Sequence, residues 1–95
     1  MAKGYWVVHV TVTDPENYPK YVAAANIALQ KHNGKFLARG GQYQNPEGNA
    51  KARHIIVEFE SYEQAITAYN SEEYKAATAL RNMFGETDFL IVEGQ

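Results

Sequence analysis

From Gly4 to Val12 the chain is a run of valine, threonine and aromatic residues, and Asp14-Pro15 ends it with a turn or helix-start signal. That pattern predicts a first strand. Tyr18, Tyr21, Val22, Ala25, Ala28 and Leu29 then recur at helical spacing, and Asn33-Gly34 closes the run as a left-handed cap would. Pro19 fits only near the start of that helix, so either Asn17 caps it or Asp14 begins a tight turn before it. Two strand-like runs follow, Lys35 to Gln44 and Ala50 to Glu60, with Asn45-Pro46-Glu47-Gly48-Asn49 between them as a hairpin turn. Ser61-Tyr62-Glu63-Gln64 has the form of a capping box and opens a second helix. Asn70-Ser71 interrupts that helix before Tyr74, Ala77, Leu80, Arg81 and Phe84 continue its period. Asp88 to Glu93 reads as the last strand.

The order β-α-β-β-α-β predicts an α+β, ferredoxin-like antiparallel sheet with both helices on one face. Strands one, three and four are apolar at both parities: Trp6, Val8 and Val10 against Tyr5 and Val7, Ile55 and Val57 against Ile56, Phe89 and Ile91 against Leu90 and Val92. A sheet wetted on one face alternates, whereas one covered on both reads as continuous apolar sequence. No residues remain in the chain to cover the second face, so a homodimer is expected.

The chain's 95 residues suffice for one domain, expected over residues 1–95, and 45% hydrophobic with 21% charged residues is ordinary for a folded protein. There is no cysteine, hence no disulfide, thiolate metal site or cysteine nucleophile. With neither a signal-peptide core nor an apolar run of about 20 residues, the expected location is cytoplasmic, away from membranes. A net charge of −2 gives no broad attraction to phosphate backbones, and nucleic acid is not an expected partner.

Several short motifs, read together, carry a family likeness over nearly the whole chain. They are Gly4-Tyr5-Trp6, Asp14-Pro15-Glu16, Tyr18 and Tyr21, Gly34 through Gly41, Glu47-Gly48, Val57-Glu58-Phe59 with Ser61, Tyr69 through Tyr74, Arg81, and Val92-Glu93-Gly94. As a set they resemble family 1330 of the bacterial domains of unknown function, in the dimeric α+β barrel superfamily. The resemblance implies two sheets packed into a barrel with helices outside. Relatives in that superfamily include cofactor-free monooxygenases, haem-degrading enzymes, isomerases and stress-response proteins, and fold likeness alone does not choose among them. His9 stands where relatives often carry another polar or basic residue, which speaks against an invariant catalytic role for it.

The simplest hairpin register pairs Arg39 with Ile55 and Leu37 with Val57, pointing Arg39 toward the helices. Tyr74 and Arg81, seven residues apart, share a helix face with Tyr69 nearby. These residues predict a pocket between helix and sheet in which Arg39 or Arg81 pairs with a carboxylate or enolate and Tyr69 and Tyr74 hold an apolar or aromatic body. The bland alternative has the arginines paired with Glu72, Glu73 or Glu86 and the tyrosines filling core. His9 and His54 lie on neighbouring strands, with Glu58 on the face of His54; they are candidates for a general base or, more plainly, residues lining a dimer interface. His32 is expected at a helix C-terminus with its ring exposed. No nucleotide-binding loop, catalytic triad or clustered metal ligands occur, and nothing calls for a cofactor. The expected function is binding of a small acidic or aromatic metabolite by a homodimer. The alternatives are a cofactor-free monooxygenase or isomerase with a histidine base, and a structural or interaction protein.

Overall fold

The computed structural model describes residues 2–95, in the order β1 (Gly4–Val12), α1 (Tyr18–Lys31), β2 (Lys35–Arg39), β3 (Arg53–Phe59), α2 (Tyr62–Tyr69), α3 (Glu72–Phe84) and β4 (Gly85–Glu93). The four strands form one antiparallel sheet in the order β2-β3-β1-β4, the ferredoxin-like arrangement expected from the element order.

Local chemistry sets the helix ends. Asp14 accepts hydrogen bonds from the Asn17 backbone N–H (3.2 Å) and side-chain amide (2.9 Å), while its own carbonyl accepts from the Tyr18 N–H. The chain therefore turns on Asp14 and enters α1 at Asn17, and Pro19 falls in the first turn, where a missing N–H leaves nothing unpaired. At the other end Asn33, not Gly34, adopts the left-handed conformation, with φ 59°. Gly34 is needed for room, since a Cβ there would stand 2.7 Å from a Leu29 methyl. Ser61 and Ser71 cap α2 and α3, each hydroxyl accepting from the backbone N–H three residues on. The second helix is thus broken at Asn70-Ser71 as the sequence predicts.

The helix-facing side of the sheet carries Trp6, Val8 and Val10 of β1 with Val57 and Phe59 of β3, all buried. Trp6 is central: its ring meets Phe59 at 4.9 Å and Tyr74 at 4.6 Å, and its indole N–H donates to the Ala65 carbonyl. The opposite side carries Val7, Ile56, Leu90 and Val92 and, among the described residues, has no helix over it; Leu90 is 59% exposed. Both parities of the apolar pattern are accounted for, one by the helices and one by this uncovered face.

The hairpin departs from expectation in two ways. Strands β2 and β3 stop well short of Gln44 and Ala50, leaving residues 40–52 as a long connection. Gly40 turns the chain away with φ 69°, and Asn45 then bonds to the Glu47 and Gly48 carbonyls and the Ala50 N–H, so local contacts replace the ladder. Arg39 does pair with Ile55, but Leu37 does not pair with Val57; Phe36 does, and Leu37 is the extra residue of a bulge.

Candidate functional site

Between α1 and the β1-β3-β2 part of the sheet lies a cavity of about 40 Å³, open on one side. A single water needs about 10–15 Å³ on the same measure, so this space holds a small group of several heavy atoms, and its mouth admits more. Trp6, Tyr18, Tyr21, Phe36 and Tyr74 give it aromatic walls, and Ala25, a small residue on α1, leaves the space unfilled.

Its polar character comes from arginine. Arg39, at the end of β2, lies over the Phe36 ring at 4.3 Å and donates to the side-chain oxygen of Asn26 on α1 at 3.2 Å. Arg53, the first residue of β3, shares the parity of Ile55 and Val57 and so faces the helices. Its guanidinium lies 5.9 Å from the centre of the Tyr18 ring, its Nε is buried without a partner, and a Cβ on Gly40 would collide with its Nη1. Glycine at position 40 thus makes both the turn and the room for Arg53.

Arg81 stands behind the wall. It is 4% exposed, and its Nη1 donates to the Tyr74 hydroxyl at 3.0 Å. The Tyr74 and Tyr21 hydroxyls are 2.7 Å apart, so a polar chain runs from Arg81 through Tyr74 to Tyr21 at the cavity. The Nε of Arg81 has no partner among the described residues, and the Phe89 ring packs 5.3 Å from the guanidinium. Burial pushes the Tyr74 phenol far above the ordinary tyrosine range, reinforced by the Tyr21 hydroxyl and opposed by Arg81. Burial likewise raises Tyr18, with Tyr21 adding to the effect and Arg53 opposing it. Both phenols therefore keep their protons at neutral pH.

A buried arginine is ordinarily paired. Among the described residues, none of the chain's three arginines forms an ion pair with a carboxylate. Of the expected alternative partners, Glu73 is held by Lys31 at 2.9 Å and His32 at 3.3 Å, Glu72 lies 4.0 Å from Lys75, and Glu86 forms no ion pair among the described residues. His32 accordingly has a half-buried, paired ring where an exposed one was expected. The cavity lining includes no aspartate or glutamate.

Of the residues singled out from sequence, Arg39 and Tyr74 line the cavity and Arg81 reaches it through Tyr74. Tyr69 does not line it; its ring packs against Phe89 at 4.9 Å and Trp6 at 6.4 Å, in the core behind Tyr74. His9 and His54 are brought together, Nδ1 to Nδ1 at 2.8 Å, with the Tyr43 ring 4.4 Å from His54, but on the uncovered face of the sheet. The sheet itself separates them from the cavity. Glu58 accepts from the Tyr5 hydroxyl and bonds to neither histidine. Arg53 and Tyr21 were not among the sequence candidates, although the parity of Arg53 with Ile55 and the helical phase of Tyr21 both point inward.

The family model described as a domain of unknown function, DUF1330, matches residues 3–95. No curated protein is significantly similar in sequence to this chain. Among solved structures, a protein of unknown function from Rhodopseudomonas palustris superposes with a TM-score of 0.75 at 14% identity, covering 99% of this chain and 83% of that one. SnoaB, a cofactor-independent oxygenase from Streptomyces nogalater, is similar with a TM-score of 0.69 at 9% identity over 100% of this chain and 95% of its own. A dimeric ferredoxin-like protein of unknown function from Bacteroides fragilis gives 0.57 at 15% identity, over 96% of this chain and 95% of its own. At these identities the likeness concerns the fold alone.

Proposed function

The chain belongs to the domain-of-unknown-function family DUF1330, and from that premise, which supplies a fold and no chemistry, we propose that it binds a small acidic metabolite in the helix–sheet cavity. The observation that carries this reading is the gathering of Arg39, Arg53 and Arg81 in and behind one apolar cavity with no carboxylate to neutralise them. Arg39 is exposed, but Arg53 is half-buried and Arg81 buried; an uncompensated cation so placed favours an anionic guest, and a guanidinium fork suits a planar carboxylate or enolate. The aromatic walls suit a flat body attached to it. Tyr69 contributes by supporting Tyr74 from behind.

Isothermal titration with aromatic and aliphatic carboxylates checks the reading. Arg53→Gln and Arg39→Gln are each expected to weaken the best ligand about tenfold, the usual scale for one charge-assisted hydrogen bond. Folded variants that bind as tightly as the parent chain would remove the arginine site.

A second reading is favoured by the fold shared with SnoaB and by the close His9–His54 pair: a cofactor-free oxygenase or isomerase with a histidine base. That base would act on the uncovered face, so its substrate would lie against the sheet and not in the cavity. Turnover unaffected by His9→Gln and His54→Gln would sink it. Either reading is taken to operate in a homodimer; the Bacteroides fragilis protein of the same fold is dimeric.

A further inference from the structure

We propose that Tyr21 supplies the cavity with a directed hydroxyl proton for an acceptor-only oxygen of the bound acid, and that Arg81, working through Tyr74, is the positioning residue that aims it. The proposal rests on the cavity reading above and deepens it, because it specifies what the inner end of the ligand must be.

Counting protons along the polar chain leads to this assignment. A phenol has one hydroxyl proton and can accept on the same oxygen. Arg81 has only donors, so at 3.0 Å the Tyr74 oxygen must accept from it. Tyr74 and Tyr21, 2.7 Å apart, share one further hydrogen bond, which uses one of their two protons. If Tyr21 donated, the unpaired proton would be that of Tyr74, which also lines the cavity but is only 1% exposed against 9% for Tyr21. Leaving a buried donor unpaired is costly. The favoured direction therefore runs Arg81 to Tyr74 to Tyr21, and the surplus proton is that of Tyr21, which lines the cavity and retains slight exposure. Donation into Tyr74 from a guanidinium also polarises the next link in the chain. The walls offer no carboxylate to receive that proton, and the side-chain oxygen of Asn26 accepts from Arg39 and not from Tyr21. With Arg53 offering donors from the sheet side, the cavity presents donors from two directions. The complementary group is a planar oxyanion, a carboxylate or an enolate, carrying no hydrogen-bond donor at its inner end.

Benzoate and benzamide are the probes. They match in shape, but the amide turns two donors toward Arg53, so the parent chain is expected to prefer benzoate. Tyr21→Phe, close to isosteric, is expected to weaken both about tenfold while keeping the preference; Arg53→Gln is expected to erase the preference. Tyr74→Phe cuts the link to Arg81 and keeps the ring, and is expected to lower benzoate affinity about threefold or more. In the unmutated protein labelled at tyrosine ¹³Cζ, benzoate is expected to move the Tyr21 resonance most, which tests the contact without a substitution. Unchanged benzoate affinity in Tyr21→Phe, or a Tyr21 resonance indifferent to benzoate, overturns the role of Tyr21. If Arg53→Gln still weakens binding in that case, the cavity reading survives. Unchanged affinity in Tyr74→Phe overturns the positioning role of Arg81. Failure of the parent chain to bind benzoate at millimolar concentration overturns the cavity reading together with this one.

Discussion

At the residue scale, the electrostatics divide between arginines without carboxylates and a carboxylate held by a lysine and a histidine. Glu73 is held down to about 2 by the Lys31 ammonium, by its own backbone N–H and by His32, against an ordinary 4.5. This contact ties the end of α1 to the start of α3. Because folding favours the ionised carboxylate, its contribution to stability is complete above the unfolded value of 4.5 and is lost as pH falls through about 2. Urea melts of the parent chain and Glu73→Gln should therefore differ most above pH 4.5 and converge toward about pH 2. A gap independent of pH over that window would mean that the ion cluster contributes nothing.

At the element scale, the break between α2 and α3 decides where Tyr74 stands. Ser71 accepts from the Tyr74 N–H at 3.2 Å while its hydroxyl donates to the Ala68 carbonyl at 2.7 Å, so one side chain closes one helix and opens the next. Ser71→Ala should cost about 1 kcal/mol in denaturant unfolding, the usual worth of an N-cap, and should loosen the Tyr74–Tyr21 contact. A loss below about 0.3 kcal/mol would show that water or the backbone replaces the cap. This break was legible in the sequence because capping depends on neighbours a few residues apart. The bulge at Leu37 was not, since nothing local distinguishes Leu37 from Phe36; which of them meets Val57 is settled by packing against α1 and β3. Arg39 was placed correctly through its distance from Ile55, and the same parity applied one step further would have added Arg53. The relation of Arg81 to Tyr74 follows from helical spacing. Its lack of a carboxylate does not, because pairing depends on which helices pack together, and α1 brings Lys31 and His32 to Glu73.

At the scale of the whole molecule, the uncovered sheet face accounts for most of the apolar sequence that the helices leave unused. Ile56, Val7 and Leu90 stand directly opposite one another across β3, β1 and β4, a hydrophobic row with no helix over it. Val92 and Leu90 are 45% and 59% exposed, although they alternate with residues packed under the helices. A second copy laid on this face by two-fold symmetry would bury each of these side chains twice per dimer. Burying one leucine is worth about 1.5–3 kcal/mol, so Leu90→Lys should weaken a dimer formed here by roughly a hundredfold or more. The helix-packed core should be untouched, because Leu90 projects from the other side of β4. Sedimentation at micromolar concentration is expected to give a dimer for the parent chain and a folded monomer for Leu90→Lys. If the variant stays dimeric, the pairing surface lies elsewhere. If the parent chain is itself a monomer, the two-sided apolar pattern needs a different partner, and the His9–His54 pair on that same face would be open to one.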